Sequence, residues 1–127
     1  MHRLKIIGTG HYVPDRVITN SDLEEMMDTT DEWIVERTGG HERRWFEAGK
    51  DTVSNMGTRA AKRALDNAEI QASEVDFIIF ATLSPEYYFP GCGVFVQDQL
   101  NLDTIGALDI RNQCSAVEAN NLDLNEK

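Results

Sequence analysis

The chain has 127 residues, 41% of them hydrophobic and 27% charged, values that suit one small globular domain and exclude wholesale disorder. Twelve Lys and Arg against 22 Asp and Glu leave a net charge of −10, which argues against nucleic acid as a partner. No apolar run approaches the ~20 residues a membrane span requires, and the amino terminus lacks a secretory leader pattern, so the expectation is a cytoplasmic protein that engages no membrane.

Leu4–Ile7 is a short apolar run closed by Gly8-Thr9-Gly10, the pattern of a first strand and its turn. Pro14-Asp15 continues the loop, and Asn20 or Ser21 is placed to cap a short helix carrying Leu23, Met26 and Met27. Thr30 or Asp31 offers the next cap, ahead of Glu32-Trp33-Ile34-Val35-Glu36-Arg37, and Gly39-Gly40 stops that helix. His41–Phe46 reads as a charged edge strand or ribbon, its Arg43 and Arg44 either solvated or, with Arg37, a local basic cluster.

From Thr52 to Ala68, Val53, Met56, Ala60, Ala64 and Ala68 recur at helical spacing, with Ala61 and Leu65 widening the stripe. Small residues there let a helix lie close against its neighbour. Phe77–Ala81 is apolar without alternation, as suits a parallel strand buried on both faces. A turn-rich stretch from Ser84 to Gly91 precedes a helix near Cys92–Leu100, and Ile105–Ile110 is a third strand. The alternation of strand and helix predicts an α/β fold with a mostly parallel sheet and helices on both faces. The domain is expected over residues 1–116, with a polar tail over 117–127.

Two cysteines and three histidines (His2, His11, His41) show no metal-ligand spacing, so no metal and no cofactor is expected. Cys92 sits inside a helix stripe and reads as packing. Cys114 follows the last strand after Arg111-Asn112-Gln113. A thiol at a strand-to-helix turn is favoured as thiolate by the helix-start amides, which makes it a nucleophile candidate. The competing reading is a buried structural cysteine. Trp33 and Arg37, four apart, share a helix face. They form either a nucleotide-stacking platform or a surface cation–π contact that steadies a short helix.

Asp109-Ile-Arg-Asn-Gln-Cys-Ser115 resembles the active-site segment of the β-ketoacyl-(acyl-carrier-protein) synthase III family, of the thiolase superfamily. Other family-like segments precede it in order: Ile6–Gly10, Val13-Pro14, Thr19-Asn20, Asp28–Ile34, Arg37-Thr38-Gly39, Glu42-Arg43-Arg44, Ala60-Ala61, Phe77–Thr82 and Phe89-Pro90. The resemblance implies the amino-terminal half of a thiolase-like fold. It implies an acyltransferase of fatty-acid biosynthesis that condenses acyl-CoA with malonyl-acyl-carrier-protein through a thioester on Cys114. It further implies CoA binding by Thr29, Trp33 and Arg37, a homodimer, and Phe89 walling the partner's acyl pocket. For Phe89 a core or loop anchor is the alternative.

Members of that family run well over twice this length and draw a histidine and an asparagine from their second half. None of the three histidines here matches, so the 127 residues alone are expected to be inactive. Two other readings stand beside the enzyme: a non-catalytic half-domain that pairs with an intact homologue along Ile105–Ile110, and a gene remnant without function. Glu69 occupies a helix end where the family carries glycine, which costs about 1 kcal/mol if the backbone there is left-handed.

Overall fold

The computed structural model describes residues 4–111. Their Cα traces form two compact units, Val13–Thr52 and a second made of the residues up to Tyr12 with those from Val53 onward. Cys114 and the 117–127 tail lie outside the described residues.

The Val13–Thr52 unit runs β1 (Arg16–Thr19), α1 (Asn20–Met26), α2 (Asp31–Thr38) and β2 (Glu42–Trp45). β1 and β2 pair antiparallel, Arg16 opposite Trp45 and Thr19 opposite Glu42. The charged segment does form a strand, and its partner β1 was invisible to periodicity because four residues are too few to show one. Thr19, not Asn20 or Ser21, caps α1: its side chain accepts from the Asp22 amide at 3.2 Å while the Asp22 carboxylate accepts from the Thr19 amide at 2.7 Å. This reciprocal box satisfies two amide groups of the helix start. Asn20 instead turns inward and is buried.

Of the two candidate caps of α2, Thr30 takes the position, its hydroxyl accepting from the Trp33 amide at 3.2 Å. It ends at Gly39, left-handed at φ 67°, whose amide donates to the Val35 carbonyl. Ile18 and Ile34 supply the buried apolar centre of this unit.

The second unit holds α3 (Val53–Ala68), a short 3-10 turn (Ala72–Glu74), β3 (Phe77–Ala81), α4 (Cys92–Gln99) and β4 (Gly106–Ile110). β3 and β4 pair in parallel, Phe77 opposite Gly106 and Ala81 opposite Ile110. Leu4–Ile7 is not a strand: among the described residues no ladder receives it. It runs beside α3 instead, where a Cβ on Gly8 would stand 2.5 Å from the Ala64 carbonyl oxygen, and one on Gly10 would overlap the backbone of Ala60 and Ala64. The small-residue stripe of α3 and these glycines therefore serve one close approach. The expected single sheet narrows, over the described residues, to one parallel and one antiparallel pair.

Both helices of this unit lie on the same face of the parallel pair. The Phe80 ring fills the space above Gly57 of α3, while Ala107 and Asp109 lie under Gly93 of α4. Across that layer Cys92 and Val96 are buried. The opposite face presents Phe77, Ile79 and Leu108 at 44–55% exposure. Among the described residues no helix is long and apolar enough to cross a membrane.

Candidate functional site: the Trp33–Arg37 face

The chemistry-bearing residues of the first unit gather on α2. The short helix buries Ile34 and turns Trp33 and Arg37 outward. The Arg37 guanidinium lies 4.8 Å from the centroid of the Trp33 ring. Trp33 remains 53% exposed, so one face of an indole is offered to solvent with a cation beside it. Such a pair can take a flat heteroaromatic by stacking and an anion by charge. Thr29, half-buried, stands just ahead of the Thr30 cap. Of the three residues the resemblance implies, Trp33 and Arg37 lie on α2 and Thr29 precedes its cap.

Sequence reasoning missed what holds that helix. The Asn20 side chain is 2% exposed. Its Nδ2 donates to Asp31 Oδ1 at 2.5 Å and to the Gly40 carbonyl at 2.9 Å, and its Oδ1 accepts from Arg43 Nη2 at 2.5 Å. The Asn20 amide donates to the His41 carbonyl at 3.3 Å. Arg43, for which a solvated position is one of two readings, is a part-buried donor. The choice stays open in the sequence because a charged residue in a four-residue strand gives no sign of which face it occupies. Arg44 donates to the Asp15 carbonyl and pairs with Glu42 at 3.7 Å.

In the second unit the loop between β3 and α4 is fixed by carboxylates. Asp109 of β4 accepts from the Cys92 amide at 2.6 Å and the Gly93 amide at 2.9 Å, neutralising the start of α4. Glu86 does the same for α3, accepting from the Ser54 amide at 2.5 Å. Arg111 donates to the Tyr88 carbonyl at 3.1 Å and lies 5.1 Å from that ring's centroid. Between these ties Phe89 projects at 90% exposure, so it anchors no core among the described residues. Cys92 is wholly buried, as expected, and burial pushes its thiol pKa up, with Glu86 and Asp109 adding charge of the same effect. It is packing, not a nucleophile.

An apolar hollow of about 210 Å³ lies along α3, lined by Ile7, Ala61, Ala64, Leu65, Ile70 and Val75 among others. It holds no group that could do chemistry.

No family model matches the chain. Individual proteins do. The β-ketoacyl-[acyl-carrier-protein] synthase III of Aquifex aeolicus is 50% identical over 111 residues, 87% of this chain and 35% of that protein. The enzyme of the same name from Anaplasma marginale is 48% identical over 115 residues, 91% of this chain and 35% of that one. The crystal structure of the Aquifex aeolicus synthase superposes with a TM-score of 0.86 at 47% identity, covering 92% of this chain and 38% of that chain. Over the matched residues the chain is homologous to the amino-terminal third of β-ketoacyl-[acyl-carrier-protein] synthase III. It spans about a third of the length of the curated relatives it matches. Its α/β architecture is the thiolase-like fold of those synthases, over the portion the match covers.

Proposed function

We propose that this chain supplies the acyl-accepting part of a 3-oxoacyl-[acyl-carrier-protein] synthase III, with acyl-CoA and malonyl-acyl-carrier-protein as substrates and the cytoplasm as its setting. The observation that supports it best is the solvent-facing Trp33–Arg37 stack, carried on a helix capped at both ends, in a chain 50% identical to a synthase III. On this reading the adenine of CoA stacks on Trp33, the Arg37 guanidinium meets a phosphate, and Thr29 lines the mouth beside them.

The Cys114 thiolate then attacks the acyl thioester carbonyl. The carbon–sulfur bond to CoA breaks, CoA leaves as its thiolate, and the acyl group stays on Cys114. Loss of carbon dioxide from the malonyl thioester leaves an enolate, which attacks the acyl-Cys114 carbonyl and returns the thiolate. Splitting one difficult acyl transfer in two is the benefit of covalent catalysis. The second half needs donors that hold the enolate and polarise its thioester. The family takes these from a histidine and an asparagine that none of His2, His11 or His41 replaces, so the 127 residues alone are read as inactive in condensation. Phe89, projecting from its tied loop, would reach a partner subunit's acyl pocket in a homodimer.

Acyl-CoA carrying a radiolabelled acyl group tests the first half-reaction. Label is expected on wild-type chain and absent from Cys114→Ala, with Trp33→Ala raising the acyl-CoA concentration required. No label on wild type, even with the remaining family sequence supplied as a second polypeptide, would overturn the proposal.

A second reading, a non-catalytic half-domain that pairs with an intact homologue, is favoured by the open apolar face of β3 and β4. It expects a heterodimer with a full-length relative on size-exclusion chromatography and no acyl label. Separate monomer peaks would remove it.

A further inference from the structure

We infer that Asn20 is the positioning residue of the Trp33–Arg37 face: one buried amide ties both ends of α2 and so sets how that helix presents its outward pair. This rests on the reading of Trp33 and Arg37 as the CoA nucleotide site. It adds a residue that touches neither of them.

An eight-residue helix is about 12 Å long and is not stable by its own hydrogen bonds, so its orientation must come from what it is fastened to. Much of the fastening passes through one side chain, with one further tie where Glu24 of α1 accepts from the Asp31 amide at 2.6 Å. Both N–H groups of the Asn20 amide are spent on α2, one on Asp31 at its first residue, the other on the Gly40 carbonyl just beyond its glycine cap. The carbonyl of the same amide receives Arg43 from β2, and Arg43 Nη1 also reaches the Ile18 carbonyl of β1 at 3.4 Å. Both donors and the acceptor of one side chain thus join α2 to the two-stranded ribbon. Ile34 packs inward beneath. A buried amide whose partners are lost cannot fall back on water, so the arrangement admits one geometry.

The two arms of the network can be cut separately. Asn20→Asp removes both donors to α2 and sets a carboxylate against Asp31 and the Gly40 carbonyl, while keeping Arg43 paired. Arg43→Met cuts only the strand arm. CoA is titrated by Trp33 fluorescence in a Trp45→Phe background, where Trp33 is the single tryptophan. Amide exchange of α2 and acrylamide quenching of Trp33 are followed without ligand.

Asn20→Asp is expected to weaken CoA binding about tenfold, the effect of one lost buried hydrogen-bond arrangement. It should also speed exchange across α2, leave α3 amides unchanged and alter Trp33 quenching. Arg43→Met should weaken binding less than about threefold on the same scale. Equal losses in the two variants, tracking their fall in melting temperature, would overturn the inference, as would wild-type binding and wild-type α2 exchange in Asn20→Asp. If Asn20→Asp does not fold, Asp31→Ala, which cuts one of the two ties, replaces it: weaker binding supports the inference and unchanged binding overturns it. Should wild-type chain bind no CoA, the nucleotide reading falls, and α2 exchange with Trp33 quenching decides the inference by itself.

Discussion

Glu69 and Asn101 perform the same task with unequal aptitude. Each follows a helix with positive φ, 57° and 53°. After α3 the Ile70 amide reaches the Leu65 carbonyl and the Glu69 amide that of Asp66. After α4 the Leu102 amide reaches Gln97 and the Asn101 amide Asp98. Both are Schellman closures. Both carry a Cβ that crowds the carbonyl there, but the short asparagine side chain offsets this by hydrogen-bonding the local backbone and the longer glutamate does not. Glu69→Gly should therefore stabilise the chain by about 1 kcal/mol, and Asn101→Gly by distinctly less. Thermal melts of the two variants decide it, and equal shifts would show that the Glu69 backbone is unstrained.

Cys92 makes a second case at this scale. Buried, with its thiol pKa raised above the ordinary 9.0, it should resist iodoacetamide in the folded chain and react once the chain is unfolded. The sign for stability follows. Below pH 9 the neutral thiol is present in both states. As pH rises past 9 the unfolded thiol ionises first, so stability falls from there until the folded thiol also titrates. Mass spectrometry of the Cys92 peptide checks the reactivity, and Cys92→Ala should flatten the alkaline loss.

For whole elements, caps were the legible part. Thr30 and Gly39 could be read from the sequence because cap chemistry is local: an oxygen ahead of the first amide, a residue free to turn left-handed at the end. α3, β3, α4 and β4 were readable from apolar spacing and run length alone. β1 and the Leu4–Ile7 segment were not, since whether a short apolar run becomes a strand depends on a partner ladder distant in sequence. Asn20 was misread for a related reason. Its type fits a helix start, and only the fold shows that Thr19 takes that post while Asn20 turns inward.

The caps predict measurable losses. Thr30→Ala should cost about 1 kcal/mol, read by denaturant melts, and should loosen the α2 amides before those of α3. At α1 the hydrogen bonds from Thr19, side chain first, hold the Asp22 carboxyl below its ordinary 3.8. A lowered carboxyl stabilises the helix start above that pH and loses the contribution as pH falls through its folded value. Protection of the α1 amides relative to their intrinsic exchange should therefore fall below about pH 4 in the wild type. In Asp22→Asn the acid step should vanish, and an unchanged step would assign it to another carboxylate.

At the scale of the molecule, the second unit is covered on one side only among the described residues. α3 and α4 close one face of the parallel pair, and the other offers Phe77, Ile79 and Leu108 at about half exposure, with Leu4 and Ile6 at 78% and 85% elsewhere in the unit. Apolar surface of this kind drives association, at roughly 25 cal/mol for each Å² removed from water. The net charge of −10 opposes it, since like-charged chains repel, and added salt screens that repulsion without weakening apolar contact. The 127-residue chain should thus self-associate, and more strongly as salt is raised. Sedimentation equilibrium at two salt concentrations reads both. Leu108→Lys should return the chain to monomer, because the lysine puts charge in the middle of the open face without touching the helix-covered side. A chain that stays monomeric at high salt would mean that this face is covered from within the same polypeptide. Association that persists in Leu108→Lys would move the sticky surface to Leu4 and Ile6.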